Sequence, residues 1–135
     1  MNNYREKLVK VNVSNKNDTV LDPFIGTGTT AIAAIASQRN CIGYEIDPKF
    51  ISVVTKRLLK SVDYSNNRIQ DRINAHLSFV ENRNKPNSKI KYKNGVHGFP
   101  VVTKQETKAE FCFVSSIESL SENTISANYR PIDNC

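Results

Sequence analysis

The chain has no apolar run approaching the length needed to cross a bilayer, so no membrane role is expected. Its amino terminus, Met1-Asn2-Asn3-Tyr4-Arg5-Glu6-Lys7, is polar throughout and does not read as a signal peptide. Cysteine is scarce. Cys41, Cys112 and Cys135 are far apart and show no metal-ligand spacing, which points to reduced thiols in a cytoplasmic protein. Histidine is scarcer still: His76 and His97 stand without a partner pattern and read as structural or solvent-facing residues rather than ligands. There is no internal repeat and no low-complexity tract. Proline occurs five times, at Pro23, Pro48, Pro86, Pro100 and Pro131, never as an adjacent pair. What remains is a chain of 135 residues, 39% apolar, sufficient for one domain with a modest core.

The densest information lies in Val20-Leu21-Asp22-Pro23-Phe24-Ile25-Gly26-Thr27-Gly28-Thr29-Thr30-Ala31. A short apolar run ends in an acid, and a glycine pair then turns the chain into Ala31-Ile32-Ala33-Ala34-Ile35-Ala36. Strand, tight turn and helix in that order form the place where an open α/β sheet binds a nucleotide-like ligand. The spacing Gly26-x-Gly28-x-x-Ala31 fits a dinucleotide fingerprint with Ala as its third small residue. Cys41-Ile42-Gly43-Tyr44-Glu45-Ile46-Asp47 reads as the next strand, with Glu45 at or near its carboxyl end. Glu45 follows Asp22 by roughly the twenty residues expected of a group that accepts ribose hydroxyls. A carboxylate suits the task because it only accepts, and a ribose diol offers two donors. Pro48 then opens a helix over 49–60, to which Phe50, Ile51, Val53, Val54, Leu58 and Leu59 give a broad buried face. The first sixty residues read as helix–strand–helix–strand–helix, half of a doubly wound sheet.

These residues resemble a family. Asp22-Pro23-Phe24-Ile25-Gly26-Thr27-Gly28-Thr29-Thr30 is similar to the cofactor motif of the DNA amino-methyltransferases, Asp-Pro-Phe-x-Gly-Ser/Thr-Gly-Thr-Thr. Ile42-Gly43-Tyr44-Glu45-Ile46, followed by Lys49-Phe50 and Arg57, resembles the family's next motif. The resemblance implies a Rossmann-like methyltransferase fold with a mostly parallel sheet, S-adenosylmethionine as cofactor, and double-stranded DNA as substrate. It implies that Asp22, Pro23, Phe24, Gly26, Thr27 and Gly28 face the methionine portion of the cofactor. Thr27, Thr29 and Thr30 would hydrogen-bond its carboxylate, Glu45 would take the ribose, and Ile46 would lie against the adenine. A blander reading stands beside these roles: Thr29 or Thr30 as a helix cap, and Asp47 as the N-cap ahead of Pro48.

The family's catalytic segment, Asp/Asn/Ser-Pro-Pro-aromatic, has no counterpart here, since no two prolines are adjacent. No catalytic residue and no metal ligand is therefore assigned. In one permuted arrangement of the family the cofactor motif follows the catalytic and target-recognition segments. The chain then reads as the carboxyl-terminal, cofactor-binding portion of such an enzyme, with an incomplete sheet. Its catalytic and target-recognition polypeptide would come from another chain or an upstream segment. Alternatives are an RNA amino-methyltransferase fragment and a non-catalytic remnant. A nicotinamide-dependent oxidoreductase fits less well, because Asp22 would crowd a pyrophosphate.

The net charge of +6 is concentrated in residues 66–110, at Arg68, Arg72, Arg83, Lys85, Lys89, Lys91, Lys93, Lys104 and Lys108. Asn67 to Arg83 is predicted as an amphipathic helix, with Ile69, Ile73, Leu77 and Val80 packing back on the sheet and Arg68 and Arg72 outward. The following polar, basic loop reads equally as a phosphate-contacting surface or as a solvated linker. Short strands are expected at Gly98–Thr103, on an edge because of Pro100, and at Glu110–Ser115, with the last twenty residues irregular. The organisation expected is thus 1–65 for the cofactor-binding half, 66–95 for the helix and basic loop, and 96–135 for a carboxyl-terminal extension.

Overall fold

A computed structural model describes residues 15–83 and 90–132. The helix expected ahead of the first strand, residues 84–89 of the basic loop and Cys135 lie outside the described residues. Strand β1 (Thr19–Asp22) pairs parallel with β2 (Asn40–Gly43), in register from Thr19↔Asn40 to Asp22↔Gly43. Parallel pairing requires a crossover, and helix α1 (Thr29–Ile35) supplies it. Thr30, Ala31, Ile32, Ala33 and Ala34 are all buried. A helix this short survives on tertiary packing rather than on its own hydrogen bonds.

Helix α2 (Lys49–Leu59) begins where Pro48 places it, and it closes a first core in which Ile25, Ala31, Ile32 and Leu58 meet. The broad buried face expected of α2 is corrected by the structure: Leu58 alone is buried, and Ile51, Val53 and Leu59 are each more than a third exposed. Strand β2 is likewise mostly exposed and Cys41 half-buried, because among the described residues the parallel sheet has only these two strands.

Helix α3 runs from Val62 to Arg83 and begins five residues before the predicted start. Tyr64-Ser65-Asn66-Asn67 is a poor helix former, but tertiary contacts override it. Ser65 is fully buried, and the Asn66 side chain clasps one residue of a distant strand, donating to the Val114 carbonyl (3.0 Å) and accepting from its amide (2.7 Å). The stripe Ile69, Ile73 and Val80 is buried as its spacing predicts, and Arg68 and Arg72 are exposed. Its partner differs from expectation. Ile69 and Ile73 pack with Ile132, Leu77, Phe111 and Phe113 in a second core, on a hairpin and not on the parallel sheet.

That hairpin is the main departure from the sequence reading. Strands β5 (Cys112–Ser121) and β6 (Thr124–Pro131) pair antiparallel from Cys112↔Pro131 to Ser121↔Thr124 around the turn Glu122-Asn123. The tail is therefore strand, not irregular chain. A register shift between Val114 and Ser116 breaks the alternation that would have betrayed it. The Tyr129 hydroxyl donates to the Ile35 carbonyl (2.9 Å), tying β6 to the end of α1. Among the described residues the two strands pair only with each other, so they do not extend the parallel sheet. Among the described residues β1–β2 is the parallel pair, and the expectation of a mostly parallel sheet gives way to three two-stranded sheets.

Between α3 and the hairpin, β3 (Tyr92–Lys93) and β4 (Pro100–Val101) form a short antiparallel pair beside a 3-10 turn at Gln105–Lys108. The strand expected over Gly98–Thr103 shrinks to these two residues. Gly98 has φ +79° and Pro100 has no N–H to extend the ladder. Asn94, 1% exposed, organises the unit: its amide donates to the Glu106 and Ala109 carbonyls, and its oxygen accepts from the Val96 and His97 amides. His97 is buried with Nε2 accepting from the Phe111 amide (2.8 Å) and its ring stacked on Phe99.

Candidate functional site

The carboxyl ends of β1 and β2 carry the candidate site. Beyond the strands the ladder continues for two bonds: the Tyr44 amide donates to the Asp22 carbonyl (3.0 Å) and the Ile25 amide to the Tyr44 carbonyl (2.9 Å). The chain then leaves β1 through Gly26 (φ +51°) and Gly28 (φ +81°), a left-handed geometry that glycine adopts without strain. At Gly28 a Cβ would also meet Val54 Cγ1 at 2.9 Å, so α2 packs directly against the turn. Gly28 stands as the N-cap of α1, and neither Thr29 nor Thr30 caps the helix through its side chain.

Asp22 and Thr30 face inward. The Asp22 carboxylate accepts from the Phe24 amide (3.1 Å) and from the Thr30 hydroxyl, and both residues are buried. Their visible work is to fasten strand, loop and helix to one another, so Thr30 does not offer its hydroxyl to the open side of the loop. Thr29 is half-buried, whereas Pro23 and Thr27 are exposed. Arg57 of α2 donates to the Thr27 carbonyl (2.5 Å) and pins the far side of the loop.

Glu45 occupies the centre. One carboxylate oxygen accepts from the Gly26 amide and the other from the Asp47 amide, each at 3.0 Å. Two amides fix the group's orientation, yet a carboxylate has about four acceptor positions, so each oxygen keeps capacity for a further donor. Phe24 (83% exposed), in the glycine loop, and Ile46 (98% exposed), next to Glu45 in the chain, present large apolar side chains to solvent. Asp47 turns back to accept from the Lys49 amide (3.0 Å) at the entrance to α2. From Gly43, Tyr44 and Glu45 a groove of about 660 Å³ runs along β2 toward the hairpin tip. On its wall, Cys41 has its thiol pushed up to about 11, first by burial and then by the Asp22 charge.

The structure thus brings together Asp22, Pro23, Phe24, Gly26, Thr27, Gly28, Thr29, Thr30, Glu45 and Ile46 on one end of the two-stranded sheet. It also adds Gly43, which the sequence reading did not count as a site residue. A Cβ there would stand 2.1 Å from Ile25 Cδ1 and 2.9 Å from its Cβ and Cγ1, so the loop seats on β2 only because residue 43 has no side chain. The signal was available, since an isolated glycine within a strand marks close backbone approach. Among the described residues no group of three His, Cys, Asp or Glu side chains could hold a metal ion, and no helix is long and apolar enough to cross a membrane.

Residues 5–56 match the DNA methylase family. The Type II methyltransferase M.MthZI of Methanothermobacter thermautotrophicus is 34% identical over 116 residues, 86% of this chain and 31% of that protein. The Type II methyltransferase M.BglI of Bacillus subtilis is 39% identical over 105 residues, 78% of this chain and 23% of its own length. The Type II methyltransferase M.HinfI of Haemophilus influenzae reaches 58% identity over 45 residues, 33% of this chain and 12% of its own length. The chain therefore spans under a third of the length of these relatives. No solved structure gives a significant match.

Proposed function

As a relative of the restriction-modification DNA amino-methyltransferases, the chain carries a glycine loop and an acidic strand end, and we propose that these bind S-adenosylmethionine. The observation that carries the reading is Glu45, held by the Gly26 and Asp47 amides at the carboxyl ends of two parallel strands. Its orientation is set before any ligand arrives, and its unused lone pairs match the two donors of a ribose diol. Ile46 and Phe24 are the exposed apolar surfaces beside it. Ile46 suits the flat face of adenine. The main chain from Phe24 to Gly28, with Thr27 and Thr29, suits the methionine portion. Asp22 acts from behind the loop, where its buried negative charge favours the sulfonium without touching it.

The bound cofactor supplies an activated methyl group. The protein's part is to hold that group still, so that an amine can approach in line with the bond that breaks. In this reading the acceptor is an exocyclic amino group of adenine or cytosine in double-stranded DNA, turned out of the stack. The segment that grips the base and accepts from its amino group is supplied by another polypeptide or by further chain. No residue described here is given a catalytic role.

Ultraviolet crosslinking of radiolabelled S-adenosylmethionine, followed by peptide mapping, tests the assignment. Label is expected in the peptides holding Phe24–Thr29 and Tyr44–Ile46, and unlabelled S-adenosylhomocysteine should compete it away. Label confined to other peptides, or indifferent to the competitor, would sink the reading.

A further inference from the structure

A second concavity lies beside α1, and of the residues in the cofactor reading only Thr29 borders it. It is a groove of about 410 Å³ bounded by α1, the end of α2 and the start of α3. Its floor is carbon: Ile32 and Ala33 of α1, each 7% exposed, and the C-cap Ala36, at the three- and four-residue spacing that puts side chains on a common face. Its rim is cationic. Lys56, Lys60 and Arg68 are exposed around the floor, and no acidic side chain lines the groove. Among the described residues none of these three has an ion-pair partner.

We infer that this groove docks an acidic amphipathic segment of a partner polypeptide, with its apolar side chains on the Ile32–Ala36 floor and its carboxylates on the Lys56, Lys60 and Arg68 rim. Charge selects the occupant. A second copy of this chain would bring a net +6 against the rim. The chain's own amino-terminal segment would bring Arg5, Lys7 and Lys10 against a single Glu6. A DNA backbone would satisfy the cations but leave the floor bare, since phosphates are held by cations, hydroxyls and amides and not by an apolar trench. A helix laid in a groove with its apolar residues inward and its acids at the edges satisfies both features at once. The inference does not rest on cofactor binding.

The chain contains no tryptophan, so a tryptophan in the probe reports alone. The probe is a short synthetic helical peptide with leucines and one tryptophan on one stripe and glutamates beside it. Its control carries lysine at every glutamate position. The acidic peptide should show a saturable blue shift in emission that weakens with added salt, and the lysine peptide should show none. Lys60→Glu with Arg68→Glu should lower the acidic peptide's affinity about tenfold or more, because like charges then face each other. Both substitutions are on exposed side chains, and unchanged thermal melting confirms the fold. Ala36→Arg, which obstructs the floor and leaves the rim charges in place, should also abolish the shift. The inference is overturned if the two peptides bind alike or if the rim variant binds the acidic peptide as wild type does. It is also overturned if a short DNA duplex displaces the peptide and is itself weakened by the same rim substitutions.

Discussion

Gly43→Ala isolates the contact on which the candidate site is built. Residue 43 has no unusual φ, so the cost of a methyl group is steric and not conformational. The new Cβ would stand 2.1 Å from Ile25 Cδ1 and 2.9 Å from its Cγ1, which a rotamer change could relieve, but also 2.9 Å from Ile25 Cβ, which it could not. Ile25 cannot simply withdraw: it is buried against Ala31, Ile32 and Leu58, and its amide is bonded to the Tyr44 carbonyl. Overpacking of this kind costs about 1–3 kcal/mol. Ile25→Ala alone should cost about 2–5 kcal/mol through the cavity it leaves. If the two residues act through each other, the double variant should lose clearly less than the two single costs summed, because Ile25→Ala removes the Cδ1 and Cγ1 contacts and leaves only its Cβ, 2.9 Å from the new methyl. The coupling is then about 1 kcal/mol or more, beyond the few tenths expected of independent sites. Urea unfolding of the four proteins, followed by far-ultraviolet circular dichroism, measures it. Additive costs would show that the loop does not seat on β2 at this point, and the described geometry of the site would be wrong.

Thr30→Val leaves the buried Asp22 carboxylate one donor short and should lose about 1–3 kcal/mol, while Thr30→Ser should retain most of it. Equal losses in the same urea assay would show that the hydroxyl is not the fastening group. Asn94→Ala strands two amides and two carbonyls and should cost more than about 2 kcal/mol; a loss under half of that would dismiss Asn94 as the organiser of the β3–β4 unit. The alkaline limb of stability carries a sign. Burial holds both the Cys41 thiol, at about 11 against an ordinary 9.0, and the Tyr129 phenol above their usual values, so the unfolded chain ionises first. Stability should be complete below about pH 9 and fall as pH rises toward about 11, with a shallower fall in Tyr129→Phe. Flat urea midpoints across that range would contradict the burial of both groups.

The parallel half of the fold was legible because its signals are local. Asp22, the glycine pair, Glu45 and Pro48 each mark a boundary by their own chemistry, and the structure sets β1, α1, β2 and α2 between them. The stripe on α3 was legible for the same reason, but its partner was not. Periodicity tells which face of a helix is buried and not what covers it, and the cover turned out to be Phe111, Phe113 and Ile132. The hairpin escaped because Ser and Asn at its exposed positions read as irregular chain, and a bulge beside Ser115 shifts the alternation of Cys112, Val114 and Ile117 out of phase. At the site, sequence located the residues but not their orientations. Nothing in Asp22 or Thr30 as letters says that they bond to each other beneath the loop, leaving Glu45 as the carboxylate with open acceptor capacity.

Calorimetric titration of the purified chain with S-adenosylmethionine, beside Glu45→Ala, tests the central claim most directly. The account predicts saturable heat for the wild-type chain and its loss in the variant, with circular dichroism showing both proteins folded. A folded variant that binds as tightly as wild type would remove Glu45 from the site. A folded wild-type chain that gives no heat would contradict the assignment of the glycine loop as a cofactor site in this chain.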